Sequence, residues 1–200
     1  MKVHVIQTGV ANTASVRAAF ERLGCDVECT HERSAVLEAD YLVLPGVGTF
    51  EAGIDALDKH ELMDPLRQRI DMGQPTLAIC LGLQMLALHS QESPGISGLG
   101  VIETSVTAFP DDICVPQFGW NKVQPGAPAL GAWGYVYFAN SYRIASVEKS
   151  EWAISSADYG GPFCAALQRG RILACQFHPE LSGGYGQEII QSWLKGNGQC

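Results

Sequence analysis

A cysteine stands between an apolar run and a helix-like segment in "TLAICLGLQML" (76–86), and a histidine precedes a glutamate by two residues in "QFHPELS" (176–182). Cys80, His178 and Glu180 are the side-chain types that a thiolate mechanism needs: an attacking sulfur, a base that takes and returns its proton, and a carboxylate that fixes the tautomer of the base. A thiol at the start of a helix meets oriented N–H groups and the positive end of the dipole, which favour thiolate over thiol. In an extended segment an i, i+2 spacing puts His178 and Glu180 on one side, with Pro179 stiffening the backbone between them. Acyl chemistry also needs donors for a developing oxyanion. The N–H of Leu81 is one candidate, and an N–H at Val47 or Gly48 in "LPGVGTF" (44–50) is the other, because its glycines permit conformations that a Cβ penalises.

Taken singly, each feature has a plainer explanation. A free cysteine after an apolar strand packs in the core, "PGVG" makes a turn, and a His–Glu pair forms a surface ion pair. Their co-occurrence at strand ends changes the balance, since ligands of open parallel sheets sit beyond the carboxyl ends of the strands.

The elements that must position these residues are legible as a βαβ rhythm. "KVHVIQ" (2–7) reads as a strand, and 13–23 carries Val16, Ala19, Phe20 and Leu23 at helical spacing with Gly24 as its cap. Strands follow at 26–30 and 40–46, then a helical region over 50–72 broken near Asp64-Pro65, then "TLAIC". The later of these strands are apolar throughout, as in a parallel sheet covered on both faces. The second half holds short strands at 101–109, 134–140, 151–158, 163–168 and 171–177, at least partly antiparallel, and a closing helix over 186–194. No repeat, low-complexity segment or linker interrupts the chain, so residues 1–200 are expected to form a single domain.

Composition excludes several classes of function. A formal net charge of −8 without a Lys/Arg cluster argues against nucleic acid as a partner. No apolar run reaches the roughly 20 residues that span a bilayer, and the N-terminus lacks a leader pattern, so a cytoplasmic chain without a membrane partner is expected. The seven cysteines are an odd, scattered set, which argues against a disulfide framework. Cys25, Cys29 and His31 lack a second ligand pair at zinc-site spacing, so no metal is expected.

The motifs "CLGLQ" (80–84) and "HPE" (178–180) resemble the signature of the class-I, triad-type glutamine amidotransferases. With "LPGVGTF", "PQFGWN" (116–121), "YFANSY" (137–142) and "QFHPELSGG" (176–184), the chain is most similar to the branch formed by the glutaminase subunits of imidazole glycerol phosphate synthase, from about residue 2 to residue 195. The resemblance implies a flavodoxin-like α/β fold, a central mostly parallel sheet flanked by helices, with additional antiparallel strands in the C-terminal half. It implies that Cys80 attacks L-glutamine to form a glutamyl thioester, that His178 moves protons and that Glu180 orients His178. Val47, Gly48 and Leu81 would form the oxyanion hole, and Gly46, Gln84, Glu92, Ser141 and Tyr142 would hold the substrate. No cofactor is implied. The implied partner is a (β/α)₈-barrel cyclase that receives the ammonia, with Asn12, Ser15 and Leu181 at the interface.

Four positions depart from that pattern. Ala78 stands where glycine is usual two residues before the nucleophile, Leu181 where lysine is common, Asn140 where histidine is frequent, and 10–14 is poorer in glycine. They leave open a non-catalytic docking subunit. A glutaminase of another pathway, such as pyridoxal phosphate synthesis, is disfavoured by "PGVG" in place of a Gly-Gly-Glu-Ser type segment. A cysteine peptidase is disfavoured by the Gln84 and Ser141-Tyr142 matches.

Overall fold

The computed structural model describes residues 1–7, 12–147 and 151–196. Strand β1 (Lys2–Ile6) leads to helix α1 (Thr13–Arg22), β2 (Asp26–Thr30), α2 (Arg33–Glu38) and β3 (Tyr41–Gly46). Helices α3 (Phe50–Lys59) and α4 (Met63–Asp71) precede β4 (Thr76–Cys80), which runs straight into the short α5 (Leu81–Met85). Then come β5 (Ala87–Ser90), β6 (Ile102–Ala108), β7 (Gln117–Val123), β8 (Gly134–Asn140) and β9 (Tyr142–Ile144). Strands β10 (Ala153–Asp158), β11 (Pro162–Arg169) and β12 (Ile172–Cys175) are followed by α6 (Gly183–Leu194).

A seven-stranded sheet has the order β10-β11-β12-β4-β3-β1-β2. Its strands β2, β1, β3, β4 and β12 are parallel, while β11 runs antiparallel to β12 and β10 to β11. A three-stranded sheet, β5-β6-β9, and the hairpin β7-β8 complete the second half. Register is what matters for the site. Gly46 lies opposite Cys80, and Cys175 opposite Ile79, so β3, β4 and β12 end side by side. The three strand-end motifs read from the sequence therefore open onto one edge.

Strand alternation divides the core in two. Leu77 and Ile79 of β4 pack with Val16 and Phe20 of α1 and Ile190 and Trp193 of α6 on one face. Leu42, Leu44 and Ala78 pack with α2, α3 and α4 on the other. Burial on both faces explains why β4 reads apolar throughout. The Ala78 methyl is fully buried in the middle of the sheet, level with Leu44 and Ala174, and is part of this second core. Arg69 of α4 is also fully buried, and donates to the carbonyls of Val36 (2.9 Å) and Pro75 (2.7 Å) and to Thr76 Oγ1 (3.1 Å). It ties α2 and α4 to the start of β4.

The expected break at Asp64-Pro65 falls instead at 60–62. Glu61 takes a positive φ of 54°, and Pro65 sits in the first turn of α4, where its missing N–H has no intrahelical bond to lose. The final helix starts three residues before the expected position, at Gly183 rather than Gly186. Helix α2 and strands β5, β7 and β9 were not expected. Part of the glycine-poor 10–14 segment, residues 10 and 11, lies outside the described residues, as does Cys200. Among the described residues, no helix is long and apolar enough to cross a membrane.

Candidate active site

Cys80 closes β4 with φ 55° and ψ −108°, one of two non-glycine residues with positive φ among those described. Such a backbone costs about 1–3 kcal/mol and persists only where the surroundings over-determine it. Here two glycines do so. A Cβ on Gly82 would stand 2.0 Å from the Leu44 carbonyl oxygen, and one on Gly46 would stand 2.9 Å from Leu81 Cβ. Helix α5 is thus pressed against β3, and the chain must turn sharply at Cys80 to reach it. Gly82, two residues after the cysteine, marks the close approach of α5 to Leu44. Helix α5 is only five residues long, so what it offers Cys80 is the N–H groups of its first turn rather than an extended macrodipole.

His178 follows the end of β12 and is held by the hairpin. Its N–H donates to the Tyr137 carbonyl at 2.9 Å. Ser182 Oγ donates to the His178 carbonyl at 2.6 Å and accepts from Tyr137 N–H at 2.9 Å. Nδ1 of His178 lies 2.8 Å from Glu180 Oε1. The expected extended i, i+2 arrangement is a 3₁₀ turn over Pro179–Leu181, which still brings the two side chains together. Burial pulls the His178 imidazole toward its neutral form, but hydrogen bonds to Cys80 and Glu180 and their negative charge outweigh it, raising His178 from 6.5 to about 10.

A cleft of about 330 Å³ opens over these groups. Cys80, Leu81, Gln84 and His178 line it, together with Val47, Gly48, Glu92, Ser141 and Tyr142. Gly48 has φ 96° and no atom within 4 Å of where a Cβ would be, a conformation that favours glycine. One carboxylate oxygen of Glu92 accepts the Phe50 N–H at 2.7 Å, while Ser93 Oγ accepts that of Glu51 and Thr49 Oγ1 that of Ala52. Orphan donors at the start of α3 are thereby satisfied, and Glu92 is fixed at the cleft wall. Gln84 Nε2 donates to the Tyr142 carbonyl (3.0 Å) and to Gln176 Oε1 (3.1 Å).

The chain that builds this strained cysteine, buried His–Glu pair and cleft matches, over residues 4–195, a family model described as glutamine amidotransferase class-I. The chain belongs to the class-I glutamine amidotransferases. Among relatives, imidazole glycerol phosphate synthase subunit HisH of Salmonella typhimurium is 38% identical over 201 residues, covering 98% of this chain and 100% of that one. HisH of Escherichia coli K12 is 37% identical with the same coverage. In fold, the amidotransferase is similar to a crystal structure titled glutamine amidotransferase, with TM-score 0.79, 19% identity, and 98% and 99% of the two chains covered. PurLQS from Thermotoga maritima gives TM-score 0.74 at 14% identity, with 97% of each chain covered.

Other expected site residues of this amidotransferase fall outside the cleft lining. Glu180 is behind His178, 3% exposed at its side chain. Gly46 lies beneath, against Leu81. Asn12 caps α1, accepting from Ser15 N–H at 3.3 Å, and Leu181 is 40% exposed. Phe118, Ala139 and Asn140 line the cleft although the sequence reading gave them no site role. Phe118 lies on β7, an element the sequence pattern did not reveal. Gln176 was also missed; its Nε2 lies 3.8 Å from Cys80 Sγ. Its signal in the sequence was a lone amide within an otherwise apolar run, "ILACQF". Among the described residues, no group of three or more His, Cys, Asp or Glu side chains is arranged to hold a metal ion.

Proposed function

We propose that residues 1–200 form one amidotransferase domain acting as the glutaminase subunit of imidazole glycerol phosphate synthase in histidine biosynthesis, hydrolysing L-glutamine through a thioester on Cys80. The observation that carries the reading is the strained Cys80 turn inside the cleft that His178 borders, with His178 locked to Glu180 at 2.8 Å. The Cys80 sulfur attacks the carboxamide carbon, the C–N bond breaks, and His178 gives a proton to the departing ammonia. Water then attacks the thioester while His178 takes its proton. Glutamate leaves and the sulfur is regenerated. Glu180 holds the imidazole ring through both steps. N–H groups of Leu81 and of Val47 or Gly48 bind the oxyanion.

The substrate is L-glutamine, and the polar wall of the cleft suits it. Both N–H groups of Gln84 Nε2 are engaged by carbonyls, so Gln84 presents only its oxygen to a substrate ammonium. Glu92 adds a fixed carboxylate to the lining. Ser141 and Tyr142 complete it, and Gly46 lets α5 come close beneath.

The partner in this reading is the (β/α)₈-barrel cyclase subunit, which consumes the ammonia in the cytoplasm. Support comes from the relatives' designation as synthase subunits and from an exposed aromatic face on the hairpin beside the cleft. Phe118, Trp120, Trp133 and Tyr135 are 55–69% exposed there, and clusters of exposed aromatics mark interaction surfaces. Leu181, Asn12 and Ser15 extend the interface. The test is glutamate release from L-glutamine, alone and with the cyclase loaded with its nucleotide. Release should be low alone, rise strongly in the complex and vanish in Cys80→Ala; turnover retained in Cys80→Ala defeats the mechanism.

A further inference from the structure

Gln176 is fully buried, one residue past the end of β12, and lies between Gln84 and the Cys80 sulfur. An amide can be turned either way, but here its direction is dictated from a distance. The Tyr142 carbonyl can only accept, and Gln84 Nε2 reaches it at 3.0 Å. That sets the Gln84 NH₂ group inward, where it also meets Gln176 Oε1 at 3.1 Å. With its oxygen so engaged, Gln176 has only its NH₂ group for Cys80 Sγ, at 3.8 Å. Asn140 Nδ2 reaches the same Tyr142 carbonyl at 3.0 Å and anchors the start of the relay.

We propose that Gln176 is a positioning residue for the nucleophile, an N–H donor to the Cys80 sulfur whose amide direction is set through Gln84 by the Tyr142 carbonyl. The inference rests on the reading of Cys80 as nucleophile. As a thiol, Cys80 has the Ala139 carbonyl, at 3.9 Å, to donate to. Once ionised it has no proton to give and needs donors, and Gln176 supplies one from inside the protein. Charge-assisted bonds are shorter than neutral ones, so ionisation tightens this contact. The relay thereby favours the thiolate and holds the sulfur toward the cleft. The titratable groups around it are His178 with Glu180 behind, Glu92 and Tyr142 on the cleft walls, and Cys175 on β12, whose thiol is pushed far up by burial.

Peptide-resolved alkylation by iodoacetamide from about pH 5 to about pH 10 tests this without requiring turnover. Gln176→Met keeps length and removes the donor. The Cys80 midpoint should rise by about one pH unit, with alkylation about tenfold slower at neutral pH. Gln84→Met leaves Gln176 in place but frees its amide to turn, and should move the midpoint in the same direction by less. A Gln176→Met protein that melts earlier with an unmoved Cys80 midpoint overturns the proposal, as the residue is then only structural. Should Gln176→Met fail to fold, an unmoved midpoint in Gln84→Met overturns it equally. A wild-type Cys80 that titrates no lower than the exposed Cys29 and Cys114 in the same digest defeats the nucleophile reading itself, and this inference with it.

Discussion

Nδ1 of His178 and Oε1 of Glu180 are 2.8 Å apart with side chains only 8% and 3% exposed, so the carboxylate acts on the imidazole with little solvent screening. Together with Cys80 it raises His178 to about 10, so the imidazolium that the proposed mechanism uses to protonate departing ammonia persists through neutral pH. Removing the Glu180 charge removes part of what raises His178. In Glu180→Gln, kcat should fall about 10²- to 10⁴-fold, and the alkaline limb of its pH profile should move to lower pH. The profile of kcat for glutamate release checks this; a limb that stays in place contradicts the assignment of His178.

The same shift has a consequence for stability. A group whose folded pKa is raised stabilises the fold fully below its unfolded value, here about 6.5, and the contribution is lost as pH rises toward 10. Urea midpoints measured across that window should fall further in the wild type than in His178→Gln. Parallel curves for the two proteins count against the raised value.

Gly82 is the tightest point of the turn at Cys80. Gly82→Ala drives a methyl to 2.0 Å from the Leu44 carbonyl and should cost about 3 kcal/mol or more, because a backbone oxygen in a central strand cannot yield. Gly184→Ala in α6 meets nothing within 4 Å and should be neutral or stabilising by up to about 1 kcal/mol. Urea unfolding of the pair separates a steric requirement from a generic loss of glycine.

How far the sequence foretold the site depended on whether local pattern carried the information. The apolar runs of β3 and β4 and the helix-like segment after Cys80 pointed to a strand-to-helix junction at the cysteine, because a strand buried on both faces leaves a local mark. Strand β7 was not foreseen. Its "QFGWNKV" exposes Phe118 and Trp120, and it is a strand because it pairs with β8, which only the tertiary fold decides. Helix α2 has no capping side chain, so it carried no start signal, and Arg69 holds it by the Val36 carbonyl from another helix. Gln176 left only a lone amide in an apolar run, and its role stayed hidden for the same reason: its partners lie on α5 and at the end of β4, 92 and 96 residues away.

Arg69 is a cation fully buried with carbonyl oxygens and one hydroxyl as partners, and burial lowers it to about 10. Arg69→Met removes the donor and leaves the Val36 and Pro75 carbonyls and Thr76 Oγ1 without it. The expected loss is about 3 kcal/mol in urea unfolding. A loss below about 1 kcal/mol shows that water replaces the guanidinium.

Trp120 is 57% exposed and stacks edge-on against Tyr137, whose carbonyl holds His178 N–H. Trp120→Ala should weaken binding to the cyclase about thirtyfold or more, the size of an interface hot spot, while glutamate release by the isolated chain stays unchanged. Titration calorimetry of the two subunits measures it; unaltered affinity places the interface elsewhere.

Covalent capture shows whether Cys80 is the residue that attacks glutamine. The chain, mixed with a nucleotide-loaded cyclase subunit, is incubated with a diazoketone analogue of L-glutamine and mapped by peptide mass spectrometry. One adduct is expected, on Cys80, suppressed by excess L-glutamine and slowed in Glu180→Gln. Labelling that spares Cys80, or that glutamine does not suppress, rules Cys80 out as the nucleophile.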